Sequence, residues 1–309
     1  MVIDDLTNGG LLNPEQTDRF IDQVIDVSTI AKEVRVERMN APKLEISKIN
    51  FADRILRKAV EAQEPADTEK VKPSTSKVVL TTHEVLAAVD ISLGVLEDNI
   101  EREALADRIM TMMTNRAAVD LEEYYLVADT AGTGGIYDDP LLAYLKDQDG
   151  WLKLANQHVY DHASADFDPH KVFGKLIRML PKKWLRNKRE WRFYCHPDIE
   201  QAYRQTLSER ATAAGDRYLF EDVPVLYQGI EVRGVHTWPT FEPEAGTITS
   251  PVLLAHPQNL IVGIQRQINI DRERKARKRV LELTLTLRVA VAVEEPDALA
   301  KAINVKHPA

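Results

Sequence analysis

The chain has 309 residues, 44% hydrophobic and 28% charged, with 40 Lys+Arg against 48 Asp+Glu and a formal net charge of −8. The hydrophobic fraction is enough for a folded core, the length suggests roughly two domains, and the acidic balance argues against a dedicated nucleic-acid binder. A single cysteine, Cys195, excludes an intrachain disulfide and a cysteine-rich zinc module. No stretch approaches the roughly 20 apolar residues of a membrane span, and no basic-then-apolar leader opens the sequence, so a soluble intracellular protein is expected.

Residues 1–31 carry Asp4, Asp5, Glu15, Asp18, Asp22 and Asp26 against Arg19 alone. Asn13, Pro14 and Gln16 stand at N-cap, N1 and N3, and Phe20, Ile21, Val24 and Ile25 form one apolar stripe, which predicts an amphipathic helix over 14–31. Val34 and Val36, then Leu44 and Ile46, alternate as in a strand. From 51 to 77 the chain turns polar and charged, with a short helix expected over 52–63. Pro65 and Pro73 end regular structure, and alternation returns at Val85, Ala87, Val89 and Ile91. Two strands flanking a charged insert predict a long hairpin arm, a length unusual unless functional or ordered by a partner.

Leu105, Ile109, Met112, Met113, Ala117, Leu121, Tyr124 and Ala128 recur at three- and four-residue steps, predicting a long helix over about 97–129 that stops at Gly132, Gly134 and Gly135. Residues 170–255 mix a helix (Val172, Leu176, Ile177, Leu180), short strands and turn signals at Pro197-Asp198, Val223-Pro224-Val225 and Gly229-Ile230. Two β-rich runs follow, 261–270 and 280–293, the second alternating from Leu281 to Val293.

Candidate chemistry is sparse. His158, His162 and His170 with Asp161, Asp166 and Asp168 have metal-like spacing, and a helix would bring His158 and His162 to one face. No glutamate base accompanies them, so the stretch reads as a solvated polar loop. Cys195 beside His196 reads as a core thiol, and Gly132-Thr133-Gly134-Gly135 follows a helix rather than a strand, which excludes a nucleotide cradle. Two basic clusters remain. Lys182, Lys183, Arg186, Lys188, Arg189 and Arg192 interleave with Trp184 and Trp191, a footprint also seen in nucleic-acid binding. Arg272, Arg274, Lys275, Arg277, Lys278 and Arg279 fall at the turn between the last two long strands. With an acidic N-terminal segment available, contact between like subunits is the preferred reading. Nothing supports catalysis or a cofactor.

The order of elements, with Val89-Asp90-Ile91-Ser92-Leu93 before Leu96-Glu97-Asp98, an acidic and aromatic helix end over 122–132, Tyr227-Gln228-Gly229-Ile230-Glu231-Val232, and Pro296-Asp297-Ala298 after the last long strand, resembles the major capsid proteins of tailed bacteriophages. Their fold is shared with encapsulin shell proteins. The resemblance implies an α+β fold with an N-terminal arm (1–40), an extended hairpin loop (41–91), a peripheral domain (92–149 and 259–293) carrying the spine helix, and an axial domain (150–258 and 294–309). It implies a non-enzymatic, cofactor-free subunit that self-assembles as hexamers and pentamers into an icosahedral shell around double-stranded DNA contacted non-specifically. A separate scaffolding protein, a portal and a decoration protein are the implied partners. The place is the virion, assembled in the host cytoplasm, with no membrane. Subunit contacts are expected at Arg54, Arg57, Lys58, Lys70 and Lys72 in the arm, at Arg272, Arg274, Lys275 and Arg277, and at Phe20 and Val24. The alternatives are an encapsulin shell and, more remotely, a metal-dependent hydrolase using His158 and His162.

Overall fold

Two sequence patterns, strict alternation and three-to-four spacing, become two large sheets and the helices packed on them. The computed structural model describes residues 30–50, 56, 73–92, 94, 103–133, 135–209, 224–244, 246–265 and 269–307. In chain order the strands are β1 (Arg35–Met39), β2 (Lys43–Asn50), β3 (Ser74–Thr81), β4 (His83–Ser92), β5 (Val159–Asp161), β6 (Arg192–Cys195), β7 (Val225–Tyr227), β8 (Ile230–Gly234), β9 (Phe241–Glu244), β10 (Thr247–Ala255), β11 (Leu260–Gln265), β12 (Asn269–Lys275), β13 (Val280–Val293) and β14 (Leu299–Lys306). The α-helices are α1 (Glu103–Val127), α2 (Trp151–Leu154), α3 (Pro169–Met179) and α4 (Pro197–Ser208).

The first sheet is organised by β13, whose alternation produces a 14-residue strand. Along one edge it pairs antiparallel with β4, unbroken from His83↔Val289 to Ser92↔Val280. The other edge carries β11, from Leu260↔Val293 to Ile264↔Val289, and then β12, from Asn269↔Thr286 to Lys275↔Val280. Ile264 to Asn269 is five steps where Val289 to Thr286 is three, so the long hairpin slips register by two residues midway. β1 adds in parallel to β11. In the pairs Val85↔Leu287, Ala87↔Leu285, Val89↔Leu283 and Ile91↔Leu281 both patterns face the same way. The Leu285–Leu287 end of that face packs with Leu121, Tyr124 and Tyr125 of α1, while Ile109 packs with Leu281 and Leu283.

The arm differs from the sequence reading in one respect. β2 pairs with β3, from Lys43↔Thr81 to Asn50↔Ser74, and not with β4. The returning strand therefore lies at 74–81, where Ser, Thr and Lys masked the pattern, and the clear alternation of Val85 to Ile91 belongs to the first sheet. Leu44, Ile46, Val78 and Leu80 pack on Met39, Ile261, Ala290 and Ala292, the sheet face opposite α1. Gly263 permits this approach, because a Cβ there would lie 2.6 Å from Met39 Sδ and 3.0 Å from Leu80 Cδ2. The helix expected over 52–63 and nearly all of that over 14–31 lie outside the described residues. At the latter's end, Ile30 begins a buried turn whose N–H donates to Glu122 Oε1 at 2.7 Å.

The α1 helix spans about 37 Å at 1.5 Å per residue. It stops at Val127, ahead of the glycines, because its end is capped by tertiary contacts. Tyr137 Oη donates to Val127 O at 2.6 Å, Gly150 N donates to Ala128 O at 2.6 Å, and Asp129 N donates to Leu145 O at 2.8 Å. The first two bonds satisfy carbonyls that a helix terminus otherwise leaves open, and the third ties the residue after them to Leu145.

The second sheet runs β5–β14–β10–β6–β8–β7, with β9 beside β10. Val252, Leu254, Phe193, Cys195, Ala300 and Ala302 face a core built with α3 and α4, through Val172, Phe173, Leu176, Ile199 and Tyr203. Their neighbours Leu253, Ala255, Tyr194 and Leu299 face the other way, into the core shared with α1 and Trp151. Asp168-Pro169 and His196-Pro197 each act as N-cap and N1, starting α3 and α4 rather than marking a break or turn. Gln228 and Gly229, at φ 50 and 87, form the two-residue turn between β7 and β8, as the twist of a tight hairpin requires.

Candidate subunit interfaces

The arm root is held to its own subunit by burial and by one lysine. Lys48, on the same face as Leu44 and Ile46, donates to the Glu294 carbonyl and pairs with Glu295 at 2.8 Å. The opposite face of the hairpin is open. Ile49 is 72% exposed and Val79 is 43% exposed, while Lys77 and Lys43 flank Glu45 at 2.9 and 3.5 Å. Farther out, Leu56 is also exposed. Arg54, Arg57, Lys58, Lys70 and Lys72 lie outside the described residues, as do Phe20 and Val24.

The second cluster sits at the four-residue turn joining β12 to β13, where the sequence put it. Lys275 pairs with Glu282 and lies 3.9 Å from Glu273, and Lys278 lies 3.7 Å from Glu282. The bond from Lys275 lowers the Glu282 carboxyl and raises the lysine. Arg272 stands opposite Leu283 in the register. Among the described residues Arg274 and Arg277 have no ion pair and are exposed, so the tip presents uncompensated positive charge.

The basic and aromatic cluster is built inward. Trp191 is buried and donates from Nε1 to Trp184 O at 3.2 Å, while Trp184 Nε1 donates to Asp297 Oδ2 at 3.2 Å. Lys183 reaches Asp297 at 2.8 Å and Arg192 reaches Glu231 at 3.0 Å. Lys183, Trp184 and His158 together hold Asp297 down to about 2. Trp191 is thus a core residue, whereas Trp184 is half-buried and Lys182, Arg186, Lys188 and Arg189 are exposed.

The histidines with metal-like spacing, read as part of a solvated polar loop, part company. His158 Nε2 lies 3.1 Å from Asp297, whereas His162 lies against Tyr160 Oη (3.3 Å) and Asp166 O (3.1 Å). They flank and follow a strand rather than sharing a helix face, and His162 is buried at 5% exposure, not in a solvated loop. Cys195 is fully buried, and desolvation pushes its thiol upward, which suits an inert core residue. His158 and His162 therefore share no metal site for the hydrolase reading to use.

What the geometry offers is a hairpin covered on one face only, a positively charged strand tip, and a long helix strutting a sheet. The comparisons identify the kind of subunit that carries them. Residues 8–303 match the model of the phage capsid family. The chain is 35% identical over 309 residues to the prophage capsid protein YqbE of Bacillus subtilis (strain 168), covering 99% of this chain and 96% of that one. Among solved structures it resembles the satellite phage P4 procapsid including size determination (Sid) protein, with TM-score 0.66 and 12% identity over 98% of this chain and 94% of that one. It also resembles the holo-SrpI encapsulin complex from Synechococcus elongatus PCC 7942, with TM-score 0.53 and 13% identity over 91% and 90%. The chain belongs to the phage capsid family, and its role is structural and non-enzymatic, that of a major capsid subunit in a shell of many copies.

Proposed function

We propose that the subunit assembles as hexamers and pentamers into an icosahedral shell enclosing double-stranded DNA, assembled in the host cytoplasm with a separate scaffolding protein, a portal and a decoration protein. The supporting observation is the half-covered hairpin β2–β3. Its inner face is anchored by Leu44, Ile46, Val78, Leu80 and Lys48, while Ile49 and Val79 remain exposed on the outer face and a charged segment continues beyond it. An open face of this kind can be covered by contact with a neighbour, and closed symmetry multiplies each modest contact. In this reading the arm residues Arg54, Arg57, Lys58, Lys70 and Lys72, the tip residues Arg272, Arg274, Lys275 and Arg277, and Phe20 and Val24 meet neighbouring subunits. The peripheral unit is 92–149 and 259–293 joined by β1 and β4, and the axial unit is 150–258 with 294–309.

The test is negative-stain microscopy with light scattering on the full chain and on a deletion of residues 51–72, all but Pro73 of the span between β2 and β3. Closed particles or rings of five or six subunits are expected from the full chain. The deletion is expected to keep its circular dichroism and lose shell completion. Normal particles from the deletion would remove the arm from assembly. The encapsulin reading, which the phage and prophage relatives make the weaker one, predicts a co-purifying cargo enzyme in place of portal, tail or DNA.

A further inference from the structure

Two histidines 111 positions apart meet one carboxylate at the start of α4. His196 is the N-cap residue, and its Nδ1 accepts the Asp198 N–H at 3.3 Å. That same nitrogen lies 3.3 Å from Asp198 Oδ2. His307, just past the end of β14, brings its own Nδ1 to 3.2 Å from the same oxygen. One nitrogen from each ring and one carboxylate oxygen all lie within 4.8 Å of one another, and the ring centroids are 4.5 Å apart.

Two features make this more than a polar cluster. A tetrahedral ion with bonds near 2.0–2.1 Å holds its ligands about 3.3 Å apart, and each imidazole Nδ1 stands at that distance from Asp198 Oδ2, 3.3 Å for His196 and 3.2 Å for His307. An ion there would take the His196 lone pair that accepts the Asp198 N–H. Finally, the His307 side chain is only 9% exposed and its Nε2 has no hydrogen-bond partner, so the polar function of the ring is spent on this cluster. Asp198, at 55% exposure, leaves the cluster open to solvent, so an ion can enter and complete its shell with water.

We propose that His196, Asp198 and His307 form a binding site for one divalent transition-metal ion, with zinc the best match. Two imidazoles and one carboxylate are borderline donors that suit zinc, whereas calcium and magnesium favour all-oxygen shells. The ion would fasten the end of β14 to the N-terminus of α4, adding to the ring contact of His196 with His307 and the Asp198–His307 contact.

The experiment is isothermal titration of chelator-stripped, full-length protein with zinc chloride, with thermal unfolding followed in parallel. One zinc per subunit is expected, together with a rise in unfolding temperature at saturation. His307→Ala and Asp198→Asn should each weaken binding tenfold or more and abolish the thermal shift, while His158→Ala, whose histidine serves Asp297, should bind like the parent. His307→Gln, which keeps a polar side chain, covers the case in which His307→Ala fails to fold. Binding well below one per subunit, binding unchanged by His307→Gln and Asp198→Asn, or binding lost on His158→Ala would each overturn the proposal.

Discussion

The hairpin β2–β3 and the strand β10 are both regular β-structure, yet they are held in different ways. β10 is buried from Thr249 to Ala255, with Val252 and Leu254 in one core and Leu253 and Ala255 in the other. Its Val252–Ala255 stretch reads in sequence as a continuous apolar run because both faces are covered. The hairpin alternates, with Leu44, Ile46, Val78 and Leu80 inward and Ile49 and Val79 exposed. A strand covered twice is complete within its own chain. One covered once leaves its second face to solvent or to a neighbour, and that asymmetry separates the buried core of the subunit from its open arm.

The contrast can be broken at several points. The largest effect is expected in the second sheet. Phe173 is fully buried against Phe167, Phe193, Tyr203 and Tyr227, so Phe173→Ala should cost about 3–5 kcal/mol and lower the unfolding temperature of the whole subunit. Gly263→Val should come next. Its side chain would collide with Met39 and Leu80, costing about 1–3 kcal/mol and lifting the arm root from the sheet. Hydrogen exchange should then rise selectively in β2 and β3, and an equal rise in β10 would contradict this division. Lys48→Ala removes the contacts to the Glu294 carbonyl and to Glu295 from a lysine side chain 15% exposed, for about 0.5–1.5 kcal/mol. Its readout is faster proteolysis between β2 and β3 with little change in unfolding temperature.

The smallest effect concerns pH. Asp297 is drawn from 3.8 to about 2 by Lys183, Trp184 and His158. A carboxyl whose folded value is depressed stabilises the fold above its unfolded value and loses that contribution as pH falls through the folded one. Stability should therefore decline between about pH 4 and 2, and Asp297→Asn should flatten that part of the profile. Because Asp297 is largely exposed, the change will be modest, and an unaltered acid profile in the variant would assign the decline to other groups.

Much of this architecture is legible before any coordinates. The alternation from Leu281 to Val293 requires a strand with one apolar face, and the spacing from Leu105 to Ala128 requires a long helix to cover such a face. Arg277, Lys278 and Arg279 sit at the turn, with Arg274 and Lys275 at the end of the strand before it. The returning arm strand was hidden, since Ser74-Thr75-Ser76-Lys77 gains its β-structure from pairing with residues 47–50 rather than from its own pattern. The helix end was misplaced for a related reason, as Tyr137 and Gly150 cap it from positions that no local signal connects to Val127 and Ala128.

The sequence by itself determined which segments have an apolar face and with what period, because side-chain geometry repeats every two residues in a strand and every 3.6 in a helix. Tertiary structure alone decided which faces meet. It joined β4 to β13 rather than to β2, set Gly263 beneath the arm, separated His158 from His162, and brought His307 to His196 and Asp198. Those pairings follow from burial summed over the whole chain, a quantity that no local stretch of sequence contains.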